Sequence, residues 1–309
     1  MRGFLREFLS DPAVVDLPRL PWRLILELVI LPRRPARVAA AYRTIWTAGG
    51  SPLLRTTLAQ ARALEAELED RTGRRVPVAA GMRYGEPSLA AALGLLEREG
   101  CRRIVVLPLF PQPSGVTVGS VIRRVRELTA DRPGLELRWV EGYAGHDRYI
   151  AALAASVRDH WAIRGRSGRL LVSFHGIPTR FVRRGDAYPV WCEETAGRLA
   201  GALELGPGDW AMAYQSRFGP GRWLGPDTHE LLARWGGEGV ESVDVVCPGF
   251  PADCLETLEE IGVRARERFV AAGGRELRLV PALGDRPDHV AALADLVLGA
   301  LGADQNCSV

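Results

Sequence analysis

Arg169-Leu170-Leu171-Val172-Ser173-Phe174-His175-Gly176-Ile177-Pro178 decides the fold class. A short, mostly apolar run closed by a Gly/Pro turn reads as a strand buried on both faces, as in parallel sheets. The turn leaves His175 at the strand's carboxyl end. Farther along, Val243-Asp244-Val245-Val246-Cys247-Pro248-Gly249-Phe250-Pro251 repeats the arrangement. There, Asp253, Glu256, Glu259 and Glu260 follow on the first turns of a helix. In open α/β sheets, ligands bind beyond the carboxyl ends of strands. A histidine and a row of carboxylates at two such ends can face one cleft. That pairing suits proton removal beside a divalent cation.

The second stretch has an earlier counterpart, Ile104-Val105-Val106-Leu107-Pro108-Leu109-Phe110-Pro111. Upstream of each lies a matching turn, Met82-Arg83-Tyr84-Gly85 in the first half and Ser216-Arg217-Phe218-Gly219 in the second. Helix-like sequence separates the members, Ser88 to Glu99 and Pro226 to Gly236. Each copy therefore reads strand, Arg-aromatic-Gly turn, helix, strand, Pro-x-Phe-Pro turn, helix. Alternating strands and helices predict parallel sheets joined by right-handed crossovers. The expected fold is α/β, with two similar Rossmann-like lobes and a cleft between them. Residues 1–150 form the first lobe and 165–309 the second, joined by a helix over Ala151 to Ile163 and a linker over Arg164 to Gly168. The helix predicted over 287–301 is expected to pack back on the first lobe.

The repeat also exposes a gap. The second half opens on the strand Arg169 to Phe174, and the first half has no equivalent before Val76. From Met1 the chain runs into helix-like segments, Gly3 to Leu9, Pro21 to Leu31 and Ala36 to Thr47, punctuated by Asp11-Pro12, Pro32 and Gly49-Gly50-Ser51-Pro52. Either the first lobe is built differently, or the chain starts after its first strand.

Bulk composition excludes several classes. With 309 residues, 47% hydrophobic and 25% charged, the chain is ordinary globular protein for one large or two average domains. All 40 basic residues are arginine, yet the formal net charge is only +3 and no arginine block carries interleaved aromatics. Nucleic acid is therefore not an expected partner. The apolar run Trp22 to Leu31 is shorter than the ~20 residues a membrane span needs. No signal peptide is evident at Met1. Cys101, Cys192, Cys247, Cys254 and Cys307 are odd in number and irregular in spacing, which argues for a reducing, cytoplasmic setting. G-x-G-x-x-G after a strand, the Walker lysine, H-E-x-x-H, G-x-S-x-G and C-x-x-C are all missing.

His175 is the strongest single candidate, although a lone histidine is more often structural. Asp253, Glu256 and Glu260, spaced by three and four, are expected to line one helical face, with Glu259 off it. The helix dipole accounts for an acid or two in a first turn, not for a row that continues to Glu260. Arg33, Arg34 and Arg37 follow the apolar run. They suit the grip of carboxylates on a greasy ligand, or equally a solvated helix start. Tyr42, Trp46, Trp191 and Trp223 are aromatic candidates for a flat apolar ligand, each alone more often packing surface.

These blocks resemble ferrochelatases: Phe4-Leu5-Arg6-Glu7-Phe8-Leu9-Ser10-Asp11-Pro12, Tyr42-Arg43-Thr44-Ile45-Trp46, Gly50-Ser51-Pro52-Leu53, Met82-Arg83-Tyr84-Gly85, Ser173-Phe174-His175-Gly176-Ile177-Pro178, Gly185-Asp186-Ala187-Tyr188-Pro189, Gln215-Ser216-Arg217-Phe218-Gly219 and Asp253 to Glu260. They run in order over nearly the whole chain. The resemblance implies insertion of ferrous iron into protoporphyrin IX to give haem, with two protons released, between two Rossmann-like lobes. It places the catalytic histidine on His175, also a metal contact with Glu256, and the acid pair on Glu256 and Glu260. Porphyrin contacts fall on Arg34, Tyr42, Ser51, Arg83, Tyr188 and Trp223. The Gln-Ser-Arg-Phe-Gly form is similar to the protoporphyrin-using branch. Gly115 stands where cluster-bearing relatives carry cysteine, so no iron–sulfur cluster is expected and no cofactor beyond the ferrous substrate. The family's opening strand, of the type Val-Asn-Leu-Gly-Thr-Pro, has no match here, in keeping with the gap. A truncated or misassigned start is the expectation, with impaired catalysis as its consequence. The apolar run is expected to form a pocket lip that can touch a membrane surface. The alternatives are a chelatase for another metal or tetrapyrrole, and a non-catalytic porphyrin or haem carrier.

Overall fold

The computed structural model describes residues 1–15, 17–219 and 221–302. The first half contains the helices α1 (Arg2–Ser10), α2 (Arg19–Ile25), α3 (Leu31–Ile45) and α4 (Pro52–Thr72), then α5 (Leu89–Arg98), β1 (Arg103–Val106), α6 (Val118–Thr129), β2 (Glu136–Trp139) and α7 (Asp147–Arg164). The second half contains β3 (Arg169–His175), α8 (Thr179–Arg183), α9 (Tyr188–Ala202), β4 (Trp210–Gln215), α10 (Thr228–Gly237), β5 (Ser242–Val246), α11 (Leu255–Leu258), α12 (Arg266–Ala271), β6 (Glu276–Leu279) and α13 (Pro287–Leu301). Two π-helical stretches, Leu26–Ile30 and Glu260–Ala265, lead into α3 and α12.

Pro32 was expected to end a helix. Instead, α2, the π-helical stretch and α3 run on without a break from Arg19 to Ile45, and Pro32 lies in the first turn of α3. The wider turn just ahead of it accommodates a residue that has no N–H to donate. Leu5, Leu9, Leu26 and Leu31 close a small core between α1 and this run.

Both sheets are wholly parallel. The second lobe has four strands in the order β4-β3-β5-β6, and the first has β1 paired with β2 alone. The repeat holds down to its helix caps: Ser88 begins α5 by accepting from Ala91 N at 3.3 Å, and Asp227 begins α10 by accepting from Glu230 N at 3.0 Å. It fails at Val76 to Gly81. This segment, predicted as a strand, joins no sheet, and the nearest pairing is a single bridge from Met82 to Ser88. Its counterpart β4 pairs with β3, and among the described residues the first lobe has no strand in the place of β3.

The lobes exchange their last helices. α7 leaves β2 and packs on α9, and α13 leaves β6 and packs on α4, β1 and β2. The largest core accordingly joins both halves, from Leu64 and Leu68 through Tyr149 and Leu153 to Phe174 and Leu293. Asp186 adds a polar latch. It accepts from Ser114 Oγ at 2.7 Å and Gly115 N at 3.0 Å across the lobe boundary.

Candidate active site

His175 ends β3, in register with Gln215 on β4. Its Nδ1 lies 2.6 Å from Gly176 O. A carbonyl only accepts, so Nδ1 carries a hydrogen, and in the neutral imidazole Nε2 is the nitrogen with the lone pair. Tyr188, at the start of α9, donates its hydroxyl to His175 O at 2.9 Å. Gly176 is required by close approach: an added Cβ would stand 3.1 Å from Gln215 O and 3.5 Å from Trp223. Trp223 packs against Phe218, with ring centres 5.2 Å apart, and its indole N–H is buried without an acceptor.

Gln215 is fully buried and links three elements. It accepts from Ser173 Oγ at 2.7 Å through Oε1 and donates from Nε2 to Glu256 O at 2.6 Å. Ser216, next in the chain, adopts φ 64°, a left-handed conformation that is costly for a residue with a side chain. That bend aims both of its donors at Glu260: Ser216 N donates to Oε1 at 2.8 Å and Ser216 Oγ to Oε2 at 2.6 Å. His229 on α10 approaches the same carboxylate at 3.3 Å. Burial pushes the Glu260 pKa up, but hydrogen bonds from His229 and Ser216 outweigh it, so the net displacement is downward.

The acids do not line one face as their spacing predicted. Asp253 lies before the helix, and its carboxylate accepts from Thr257 Oγ1 at 2.8 Å and Ala282 N at 3.2 Å. Burial holds its pKa above the usual aspartate range. Glu260 begins the π-helical stretch, and its carboxylate is buried against Ser216. Glu256 stays half-buried and faces the first lobe. Its charge, after burial, helps push the Tyr42 hydroxyl up to about 12. Among the described residues, no three of His, Cys, Asp and Glu gather as a ready-made metal cage.

A neighbouring surface, where α3 and its π-helical lead-in meet Arg217 to Gly219, is cationic and apolar. A recess of about 450 Å³ is lined by Val29, Ile30, Arg33, Arg34, Arg37, Arg217, Phe218 and Gly219. Arg34 is half-buried, and its guanidinium lies 5.8 Å from the centre of the Phe218 ring. Burial, then the nearby Arg37, lowers its pKa. Beside the recess, Leu20, Leu24, Ile25, Leu28 and Val29 are exposed, Leu20 by 78% and Leu28 by 71%. Tyr42 stands edge-on to Trp46, with ring centres 6.4 Å apart, and Trp46 is exposed. Ser51 caps α4 by accepting from Leu54 N at 3.4 Å.

Two of the ligand contacts implied by resemblance are engaged elsewhere. The guanidinium of Arg83 is held by buried Asp11 and by Ser120, 2.8 Å away, and lies against Tyr84. It anchors the corner between α1 and α2. Tyr188 is buried behind His175 and supports it from the protein side. Sequence reasoning overlooked His229, because one histidine on an amphipathic helix signals nothing by itself. It quoted Gln215 and Ser216 only as a motif and missed that they hold the acid helix.

Two parallel-sheet lobes, with an imidazole at a strand's carboxyl end, buried carboxylates nearby and an arginine recess beside an apolar lip, define a chelatase-type protein. Among solved structures, SirB from Bacillus subtilis with Fe3+ superposes with a TM-score of 0.56 at 16% identity, over 82% of this chain and 93% of that one. The sirohydrochlorin chelatase SirB from Bacillus subtilis subspecies spizizenii, in complex with cobalt, gives 0.57 at 14% identity, over 83% and 94%. The chain belongs to the ferrochelatase family, whose model matches residues 1–301. It is 48% identical over 298 residues to the ferrochelatase of Nitrosococcus oceani, covering 96% of this chain and 81% of that protein. It is 47% identical over 298 residues to ferrochelatase 1 of Shewanella oneidensis, covering 96% and 89%.

Proposed function

We propose that this chain is a ferrochelatase, which inserts ferrous iron into protoporphyrin IX and releases two protons. The observation that carries the reading is His175, whose Nδ1 is occupied by Gly176 O while Nε2 is left as a base at the sheet's carboxyl edge. The porphyrin is flat and apolar with two carboxylates on one side. It would lie between the lip and β3, with its propionates toward Arg34 and its ring toward Tyr42 and Trp223. Ser51 would serve a propionate with its remaining hydroxyl hydrogen. Arg83 and Tyr188 would act indirectly, through the lip and through His175.

A planar porphyrin keeps its pyrrole N–H groups in its own plane. Contact along the whole macrocycle can hold it bent, so that nitrogen lone pairs point toward the metal. His175 Nε2 would accept a pyrrole proton. Glu256, half-buried and facing the first lobe, would take a proton or hold the incoming iron together with His175. Glu260, kept ionised by Ser216 and His229, would receive protons passed inward. Iron is a substrate here, and the proposal calls for no iron–sulfur cluster.

The exposed aliphatic lip suits a shallow, reversible seat on a lipid surface, from which a greasy substrate can enter. Among the described residues, no helix is long and apolar enough to cross a membrane. Anaerobic incubation with ferrous iron and protoporphyrin, read as haem absorbance, tests the activity. The expected result is haem formation, lost on chelation of iron. Tight porphyrin binding without haem would instead favour a carrier.

A further inference from the structure

Among the described residues, edge strand β6 pairs with β5 only. The ladder fixes which backbone groups face outward. Glu276 N donates to Glu241 O at 3.0 Å and Val280 N to Val245 O at 2.8 Å, so the even-numbered residues turn toward β5. In a parallel strand, the alternate residues turn both N–H and C=O to the other side. Leu277 and Leu279 therefore present two donors and two acceptors along the open edge. A cavity of about 430 Å³ runs beside them, bounded by His160 and Arg164 of α7 on one face of the sheet and Arg266 of α12 on the other.

The charges along this groove are unbalanced. Arg278 is matched by buried Asp244, at 2.6 Å, and Arg164 by Glu276, at 2.8 Å. Arg266 and Arg275 are exposed and have no carboxylate within ion-pair distance among the described residues. Leu277 and Leu279 pack with Phe269 of α12, and Arg275, just before β6, lines the same cavity as Arg266 of α12. A second copy of this chain would bring the same arginines together, and like charges oppose such pairing.

We propose that the β6 edge is a docking groove for an extended acidic peptide segment that adds to the second-lobe sheet as an outer strand. The ladder would form on Leu277 and Leu279. Carboxylates four residues apart on the α12 side of the guest would meet Arg266 and Arg275, and an apolar residue midway between them, on the same face, would cover Val270, which is 46% exposed. This surface contains none of the residues assigned to metal insertion, so its fate is separable from that function.

The test uses the full chain and a short capped peptide with a glutamate two residues to either side of a central valine. A lysine version and inorganic phosphate serve as comparisons. Expected are saturable binding by fluorescence anisotropy and slowed hydrogen exchange at the Leu277 and Leu279 amides. Arg266→Glu with Arg275→Glu should weaken binding about tenfold or more, with unchanged circular dichroism and unchanged metal insertion. Equal binding of the lysine peptide, binding with no protection of those two amides, or affinity unaltered in the double variant would each overturn the proposal. So would phosphate occupying the groove while the peptide does not bind.

Discussion

The two lobes share one grammar but differ in their centres. In the second lobe, β5 is flanked by β3 and β6, and Val243, Val245 and Val246 are buried. In the first, β1 occupies the equivalent position but pairs only with β2, and Val105 and Val106 are half-buried. The proposed chemistry follows the same division. The base is mounted on β3, a strand held on both sides, and a fully buried glutamine ties its neighbour β4 to the acid helix. The first lobe contributes mainly helices, a lip and arginines, which suit gripping better than proton transfer. Groups that move protons need fixed distances, whereas a surface that admits a large apolar ligand can be looser.

The largest expected effect tests that division directly. His175→Ala should lower the rate of iron insertion by about 10²–10⁴-fold, the usual contribution of a general base. Arg34→Ala should act mainly on KM for the porphyrin. Steady-state haem formation checks both. A His175→Ala enzyme that is near normal would remove the imidazole from the mechanism and leave the second lobe without its special standing.

Each lobe also secures its Arg-aromatic-Gly turn with a buried carboxylate. In the first, Asp11 binds Arg83, Tyr84 and Ser120; in the second, Glu260 binds Ser216 and His229. Asp11→Asn leaves the Arg83 charge without its partner and should cost about 3 kcal/mol of stability. It should also loosen the lip, read as a lowered Tm and faster proteolysis within the first helices. A change that leaves Tm intact would show that the lip stands without this anchor.

A matched pair of core truncations compares the sheets themselves. Val245→Ala removes methyl groups from a fully buried site and should cost about 2–3 kcal/mol, counting transfer and cavity. Val105→Ala, its counterpart in the repeat, should cost about 1 kcal/mol. Urea unfolding measures both, and equal losses would mean that the first sheet is as well packed as the second.

Much of this was legible in the sequence because buried parallel strands and Gly/Pro turns are local signals. The run ending at His175 and the turns at Met82 and Ser216 are each written within a few consecutive residues. What escaped depended on long-range partners. Val76 to Gly81 has strand character, but strand formation needs a neighbour that no local pattern guarantees. Helical spacing put Asp253, Glu256 and Glu260 on one face, whereas Asp253 precedes the helix and the three have separate partners: Thr257 and Ala282, Tyr42, and Ser216 with His229. Arg83 resembles a ligand contact until Asp11, far off in sequence, is seen to hold it. Nothing near His229 announces that it faces Glu260.

The smallest effect concerns acid stability, where the buried carboxylates divide by sign. Asp11 and Glu260 have pKa values below the usual range. For Asp11, burial raises the value but bonds from Ala13, Tyr84 and Ser120 and the charge of Arg83 outweigh it. For Glu260, burial is outweighed by His229 and Ser216. A carboxylate with a depressed folded pKa stabilises the fold above its ordinary value, and that contribution is lost as pH falls through the depressed one. Asp253 has the opposite displacement, caused by burial, so its ionisation opposes folding and acidification relieves it between the raised and ordinary values. Glu260→Gln should therefore flatten the loss of Tm at the acid end, and Asp253→Asn should steepen the net loss by removing the compensating group. Tm measured from neutral to acidic pH checks both. A slope unchanged in Glu260→Gln would mean that the carboxylate has the same pKa folded and unfolded, so that Ser216 and His229 do not favour its ionised form.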